Sequence, residues 1–175
     1  MQLKHHNLVY EDREDSWLLQ SIIETLDLKG KRVIDLGTGT GIQAITAAKK
    51  GAEVFALDIN PIACSLAHEN SNLNNADVKI LCSDLFTAIK ESEKFDFIFY
   101  NSPYLPDEEP RDLAWSGGEQ AVLRFIEQAK NHVSKNGRII FVFSSLTGLK
   151  LKNVKILASQ KFFQEIIYIG ELTRD

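Results

Sequence analysis

Two apolar periods, one helical and one of strand type, take turns along this chain, and their order defines the architecture. Leu18, Leu19, Ile22, Ile23 and Leu26 recur at helical spacing, with Asp15 or Ser16 placed to cap the helix and Gly30 to end it. Arg32-Val33-Ile34-Asp35-Leu36 is short and nearly continuous in apolar character, as a strand buried on both faces should be. A helix is predicted from Ile42 to about Lys50 with Gly51 as its stop. A second strand follows over Glu53 to Asp58, and Asn60-Pro61 opens the next helix with proline in its favoured first position. That helix carries Ile62, Ala63, Leu66 and Ala67 and dissolves in Asn70 to Asn75. Val78 to Leu81 reads as a third strand and the aromatic run Phe95 to Tyr100 as a fourth. Gly117 to about Val133 reads as a helix burying Val122, Phe125, Ile126 and Ala129, and Gly137 to Phe143 as a fifth strand. A weaker helix over about 148–159 and a sixth strand over Phe163 to Gly170 complete the pattern. Strands alternating with helices, without repeats or linkers, imply one α/β domain over 1–175: a mainly parallel sheet with helices on both faces. Residues 1–30 would be an amino-terminal segment and helix, with residues 1–10 irregular, and 31–175 the core.

Composition narrows the class. A chain of 175 residues can bury a sizeable core. No stretch approaches the ~18 apolar residues of a membrane span, and the amino terminus lacks a basic region followed by an apolar one, so a soluble, cytosolic protein is expected. The formal charge of −4 makes duplex nucleic acid an unattractive partner. Cys64 and Cys82 lack the paired spacing of a zinc or redox motif, and buried thiols are expected. His5 and His6 adjoin a terminus expected to be mobile, while His68 and His132 fall within predicted helices with no partner at metal-ligand spacing.

Two stretches carry candidate chemistry. The first is Gly37-Thr38-Gly39-Thr40-Gly41, directly after the first strand, where glycine lets backbone approach a ligand and the following helix points N–H groups at it. It comes with Asp35 before the first glycine and with Asp58 at the end of strand two, where a carboxylate can accept both hydroxyls of a ribose. An adenosine-containing cofactor is the reading these share. The second is Asn101-Ser102-Pro103-Tyr104, where the fourth strand stops at the carboxyl end of the sheet, the place where open α/β sheets put their chemistry. Pro103 biases Ser102 away from helical geometry, so an extended loop lining a cleft is expected. An ordinary strand and turn would show the same four residues.

The set Val33-Ile34-Asp35-Leu36-Gly37-Thr38-Gly39-Thr40-Gly41, Asp58, Ser83-Asp84 and Asn101-Ser102-Pro103-Tyr104 resembles the class I, Rossmann-like methyltransferases that use S-adenosyl-L-methionine. Val9-Tyr10-Glu11-Asp12-Arg13-Glu14-Asp15-Ser16 and Ala114-Trp115-Ser116-Gly117-Gly118 are similar to segments of the HemK-related glutamine methyltransferases, in particular the short archaeal and eukaryotic branch. The resemblance implies that Gly37, Thr38, Gly39 and Gly41 bring backbone against the methionine portion, with Asp35 near its amino group and Ser16 closing that side. Asp58 would hold the ribose, Ile59 would pack on the adenine, and Asp84 with the backbone of Leu85 would meet the adenine edge. Asn101 would face both the methyl group and the acceptor, its side-chain oxygen and the Ser102 carbonyl accepting the hydrogens of a planar nitrogen, with Tyr104 covering the group. The implied substrate is the glutamine amide in the Gly-Gly-Gln motif of a peptide chain release factor. The implied partner is a small zinc-binding activator pairing with the third strand, so the isolated protein is expected to be poorly active or poorly soluble.

The chain also departs from the family pattern. Ser102 stands where the family usually has proline, which should loosen the loop, and Asp12 stands where it often has proline. Class I methyltransferases commonly finish with an antiparallel seventh strand, and nothing after Thr173 supplies one. Either that strand is missing, leaving an open edge, or the strand counted sixth is in fact the seventh. Two alternatives to the glutamine enzyme remain. One is methylation of an exocyclic base amine in RNA or DNA, for which Lys150, Lys152 and Lys155 form a local basic cluster. The other is a catalytically silent methyltransferase-fold subunit that binds cofactor and stabilises a partner.

Overall fold

The computed structural model describes residues 1–102, 118–148 and 153–172. The described elements run α1 (Glu14–Thr25), β1 (Arg32–Leu36), α2 (Ile42–Lys49), β2 (Glu53–Asp58), α3 (Pro61–Leu73), β3 (Val78–Cys82), β4 (Phe95–Asn101), α4 (Gly118–His132), β5 (Val133–Ser144), β6 (Val154–Lys161) and β7 (Ile166–Leu172), with a 3-10 turn over Ser145–Thr147. The seven strands form one sheet in the order β3-β2-β1-β4-β5-β7-β6. β1 to β5 are parallel, while β7 runs antiparallel to both β5 and β6. Leu36, Asp58, Cys82 and Asn101 therefore all finish at the same, carboxyl end of the sheet, and the order reverses between β1 and β4, where such sheets open a crevice.

Both faces of the sheet are buried, which is why its central strands read as continuous apolar runs. Val33, Phe97, Phe99, Ile140 and Val142 face a core shared with α1 and α2 through Leu19, Ile23, Ala44 and Ala47. Ile34, Leu36, Ile98, Phe141 and Phe143 face the opposite core, closed by Val122, Phe125 and Ile126 of α4. α3 starts as its sequence implies, with the Asn60 side chain accepting from the Ile62 N–H at 2.9 Å and proline in the first turn.

The structure corrects several expectations. The segment expected to be a helix over 148–159 is strand β6 from Val154 onward; residues 149–152 lie outside the described part. The final strand is the seventh, and the antiparallel strand expected to be missing is present, inserted between β5 and β6. A bulge hides this strand from the sequence pattern: Ile156 pairs with Gly170 and Ala158 with Ile169, so Leu157 is an extra residue. It sends Leu157 and Ala158 against the α1 face one after the other and breaks the period-two signal. Lys155 accordingly lies on β6, not on a late helix, and Lys150 and Lys152 lie outside the described residues. Neither Asp15 nor Ser16 caps α1: Arg13 holds the cap position, its side chain making no capping bond to the helix, and Asp15 and Ser16 sit buried in the first turn.

The thiols differ from expectation too, for Cys82 is exposed at the end of edge strand β3 and Cys64 is half-buried. Burial and the neighbouring Cys82 push the Cys64 thiol up to about 12. Nor is the amino terminus loose. Asn70 and Asn74 of α3 pair their side-chain amides with the backbones of Lys4 and Gln2, and Asn60 donates to the Leu8 carbonyl. Among the described residues no helix is long and apolar enough to cross a membrane.

Candidate active site

A cavity of about 740 Å³ opens at the carboxyl end of β1, β2 and β4, within the roughly 300–1,000 Å³ range of ordinary ligand sites. Its floor is the turn after β1. Gly37 has φ +61° there, and a Cβ on it would lie 3.4 Å from the Tyr100 ring, so no other residue fits without strain. The Thr38 N–H donates to the Leu57 carbonyl at 3.0 Å and the Gly41 N–H to the Thr38 carbonyl at 2.8 Å, which closes the turn onto β2 and α2.

At the β2 end, Asp58 accepts the Gly39 and Asn60 N–H groups, each at 2.9 Å, and Ile59 beside it is exposed. Burial pushes the Asp58 carboxyl above its ordinary range, against those backbone donors. Asp84 and Leu85 line the same end, Leu85 in a left-handed conformation (φ +45°) and Asp84 paired with Arg124 of α4.

The β4 end is built around Asn101. Its Nδ2 donates to Ser16 Oγ at 3.1 Å and to Asp15 Oδ2 at 3.3 Å. The Ser16 hydroxyl donates in turn to Asp15 Oδ1 at 3.2 Å, and Tyr10 donates to Asp15 Oδ2 at 2.9 Å. A carboxylate only accepts, so the Asn101 amide is oriented with nitrogen toward α1 and oxygen away from it. That oxygen, Oδ1, is buried and has no partner among the described residues. Ser102 is buried and donates from its hydroxyl to the Val142 carbonyl at 2.7 Å. The looser loop expected from the missing proline is thus opposed by a tether to β5.

Of the residues singled out from sequence, Ser16, Gly37, Thr38, Gly39, Asp58, Ile59, Asp84, Leu85, Asn101 and Ser102 line the cavity. Asp35 and Gly41 do not. Asp35 lies behind the wall, 1% exposed, accepting from Thr38 Oγ1 at 2.7 Å, and burial pushes its carboxyl up to about 7. Gly41 starts α2 against Ala67. Pro103, Tyr104 and the 114–117 segment lie outside the described residues.

Several lining residues escaped the sequence reading. Asp12 accepts the Thr40 hydroxyl at 2.8 and 2.9 Å, tying the amino-terminal segment over the glycine turn, and burial pushes its carboxyl up to about 6. Gln43 reaches in from α2, and Phe162, Glu165 and Ile167 close the side next to the β6–β7 hairpin. Nothing local marks these residues; Asp12 alone carried a signal, as an acid where proline was expected.

A mainly parallel sheet whose seventh strand returns antiparallel between the fifth and sixth, with a glycine turn and an acidic second-strand end opening on one cavity, defines the class I methyltransferase class. The chain belongs to the methyltransferase small domain family, whose model matches residues 10–166. It is 41% identical over 160 residues to a Methanocaldococcus jannaschii protein provisionally named a protein N5-glutamine methyltransferase, covering 86% of this chain and 79% of that one. It is 27% identical to the release factor glutamine methyltransferase of Flavobacterium psychrophilum, covering 90% of this chain but 53% of the relative, so it spans about half the length of that enzyme. The E. cuniculi Mtq2-Trm112 complex, responsible for methylation of the eRF1 translation termination factor, contains a chain of the same fold at TM-score 0.75 and 23% identity, covering 96% of this chain and 99% of that one.

Proposed function

We propose that this chain transfers a methyl group from S-adenosyl-L-methionine to the side-chain amide nitrogen of glutamine, in the Gly-Gly-Gln motif of a peptide chain release factor. The observation that carries the reading is the orphaned, buried Asn101 Oδ1, held at the cavity by an amide whose nitrogen is already committed to Asp15 and Ser16. An amide nitrogen is a poor nucleophile because its lone pair is delocalised into the carbonyl. A site that methylates it must fix its hydrogens on acceptors and aim it. Asn101 Oδ1 provides one acceptor, and the Ser102 carbonyl, its residue tethered to Val142, provides a second. Positioning of this kind can contribute up to roughly 7–11 kcal/mol in the best intramolecular models.

The residues present fit the cofactor. Asp58, its carboxylate already oriented by two backbone donors, has lone pairs left for ribose hydroxyls, and exposed Ile59 offers an apolar surface to the adenine. Asp84 and the Leu85 backbone would take the adenine edge. Gly37, Thr38 and Gly39 would approach the amino-acid portion, with Asp35 acting through Thr38 and Gly41 through the start of α2. Bound there, the cofactor supplies a methyl made electrophilic by its sulfonium charge. No strong base is needed before transfer.

The similarity of the chain to proteins named for glutamine methylation supports this acceptor over a nucleic-acid base. β3 is a sheet edge that pairs only with β2 among the described strands, and it is where a small activator would add its own strand. The decisive experiment offers labelled S-adenosyl-L-methionine with a candidate release factor and with total RNA separately, using Asn101→Ala as control. Label on the factor, lost when the Gly-Gly-Gln glutamine is changed, is expected. Label on RNA instead would overturn the acceptor assignment. Cofactor binding without transfer to either, even with an activator present, would favour the silent subunit.

A further inference from the structure

Gln43, in the first turn of α2, is 3% exposed yet lines the cavity. Its Nε2 donates to the Ser16 carbonyl at 2.8 Å. A carbonyl can only accept, so the amide is locked with its nitrogen toward α1 and Oε1 on the other side. That oxygen is buried and without a partner among the described residues. Buried polar atoms are rarely left unpaired, and nothing in helix formation calls for glutamine here. A ligand in the cavity that Gln43 lines can supply the missing donor.

The surroundings state what kind of donor it is. Asp12, Asp15 and Asp58 line the same cavity and Asp35 stands just behind it, while of the basic lining residues Arg13 and Arg124, the latter is already paired with Asp84. A cationic N–H donor is drawn to such a wall and an anion is repelled. Ser16 joins Gln43 to Asn101, accepting from Gln43 at its carbonyl and from Asn101 at its hydroxyl.

We propose that Gln43 Oε1 receives a hydrogen bond from the ammonium group of the cofactor's amino-acid tail, while its Nε2 holds Ser16, whose hydroxyl seats Asn101. This rests on the S-adenosyl-L-methionine reading above and deepens it: one side chain links the cofactor tail to the amide that aims the acceptor.

The test measures calorimetric binding of two probes to the intact chain. S-adenosylhomocysteine carries the amino-acid tail, and 5′-methylthioadenosine lacks it. Gln43→Met is expected to bind 5′-methylthioadenosine within twofold of wild type, which also reports a folded adenosine end. It should bind S-adenosylhomocysteine about ten- to a hundredfold more weakly, as loss of a hydrogen bond to a charged group predicts. Gln43→Glu should recover most of that affinity yet transfer methyl slowly, because its second oxygen opposes the Ser16 carbonyl. Unchanged S-adenosylhomocysteine affinity in Gln43→Met, or equal weakening of both probes, overturns the inference. Failure of wild type to bind either probe overturns the cofactor reading itself and this inference with it.

Discussion

Two buried carboxyls beside the cavity set a pH dependence whose sign is unusual for acids. Asp35 is pushed up to about 7 and Asp12 to about 6, in both cases chiefly by burial and against the threonine hydroxyls that donate to them. A carboxyl raised in the folded state holds its proton more tightly than the unfolded chain does. Its favourable contribution is full below the unfolded value near 4 and is lost as pH rises through the folded value. Between pH 5.5 and 8.0 the two groups together should remove roughly 3 kcal/mol of stability from the protein without added cofactor. For a chain of this size that corresponds to about 6–12 °C in melting temperature. The assay is thermal unfolding at both pH values for wild type and for the double variant Asp12→Asn, Asp35→Asn, whose amide oxygens still accept from Thr40 and Thr38. The double variant should lose most of the pH-dependent difference and be the more stable protein at pH 8.0. Added S-adenosyl-L-methionine, a cation at its sulfonium, should stabilise wild type more at pH 8.0 than at 5.5. Equal pH slopes in wild type and double variant would refute the reasoning, and would mean that water or relaxation already relieves both carboxyls.

Two further perturbations probe the scaffold. Asn70 is fully buried and its amide bridges the Lys4 backbone and the Thr40 carbonyl, so Asn70→Ala should cost about 2–3 kcal/mol in chemical denaturation and raise hydrogen exchange in residues 1–8 well above the rest of the chain; uniform exchange would contradict an anchored terminus. Gly170 packs where a Cβ would lie 2.7 Å from Val154 Cγ1 and 2.8 Å from Phe143 Cε1, so Gly170→Ala should destabilise by about 1–3 kcal/mol, and a neutral result would mean that the β6 edge shifts freely.

Much of this fold and site is legible in the sequence because it is set locally. The central strands announce themselves since both sheet faces are covered and leave no polar alternation to read. The glycine turn is legible because its left-handed backbone needs glycine, and Asp58 and Asn101 because strand ends are marked by abrupt changes of polarity. The extra residue at Leu157 blurred β6 and so concealed the antiparallel return of β7. What only the tertiary structure decided depends on groups far apart in the chain. Asn101 acquires its orientation from Asp15 and Ser16, more than eighty positions earlier, and the amino-terminal segment is tied down by asparagines of α3. Asp35 falls behind the cavity wall, and Gln43 joins the lining, according to which face of β1 and α2 meets α1. Periodicity places a residue on a face, but the partner waiting there is settled only when the helices pack.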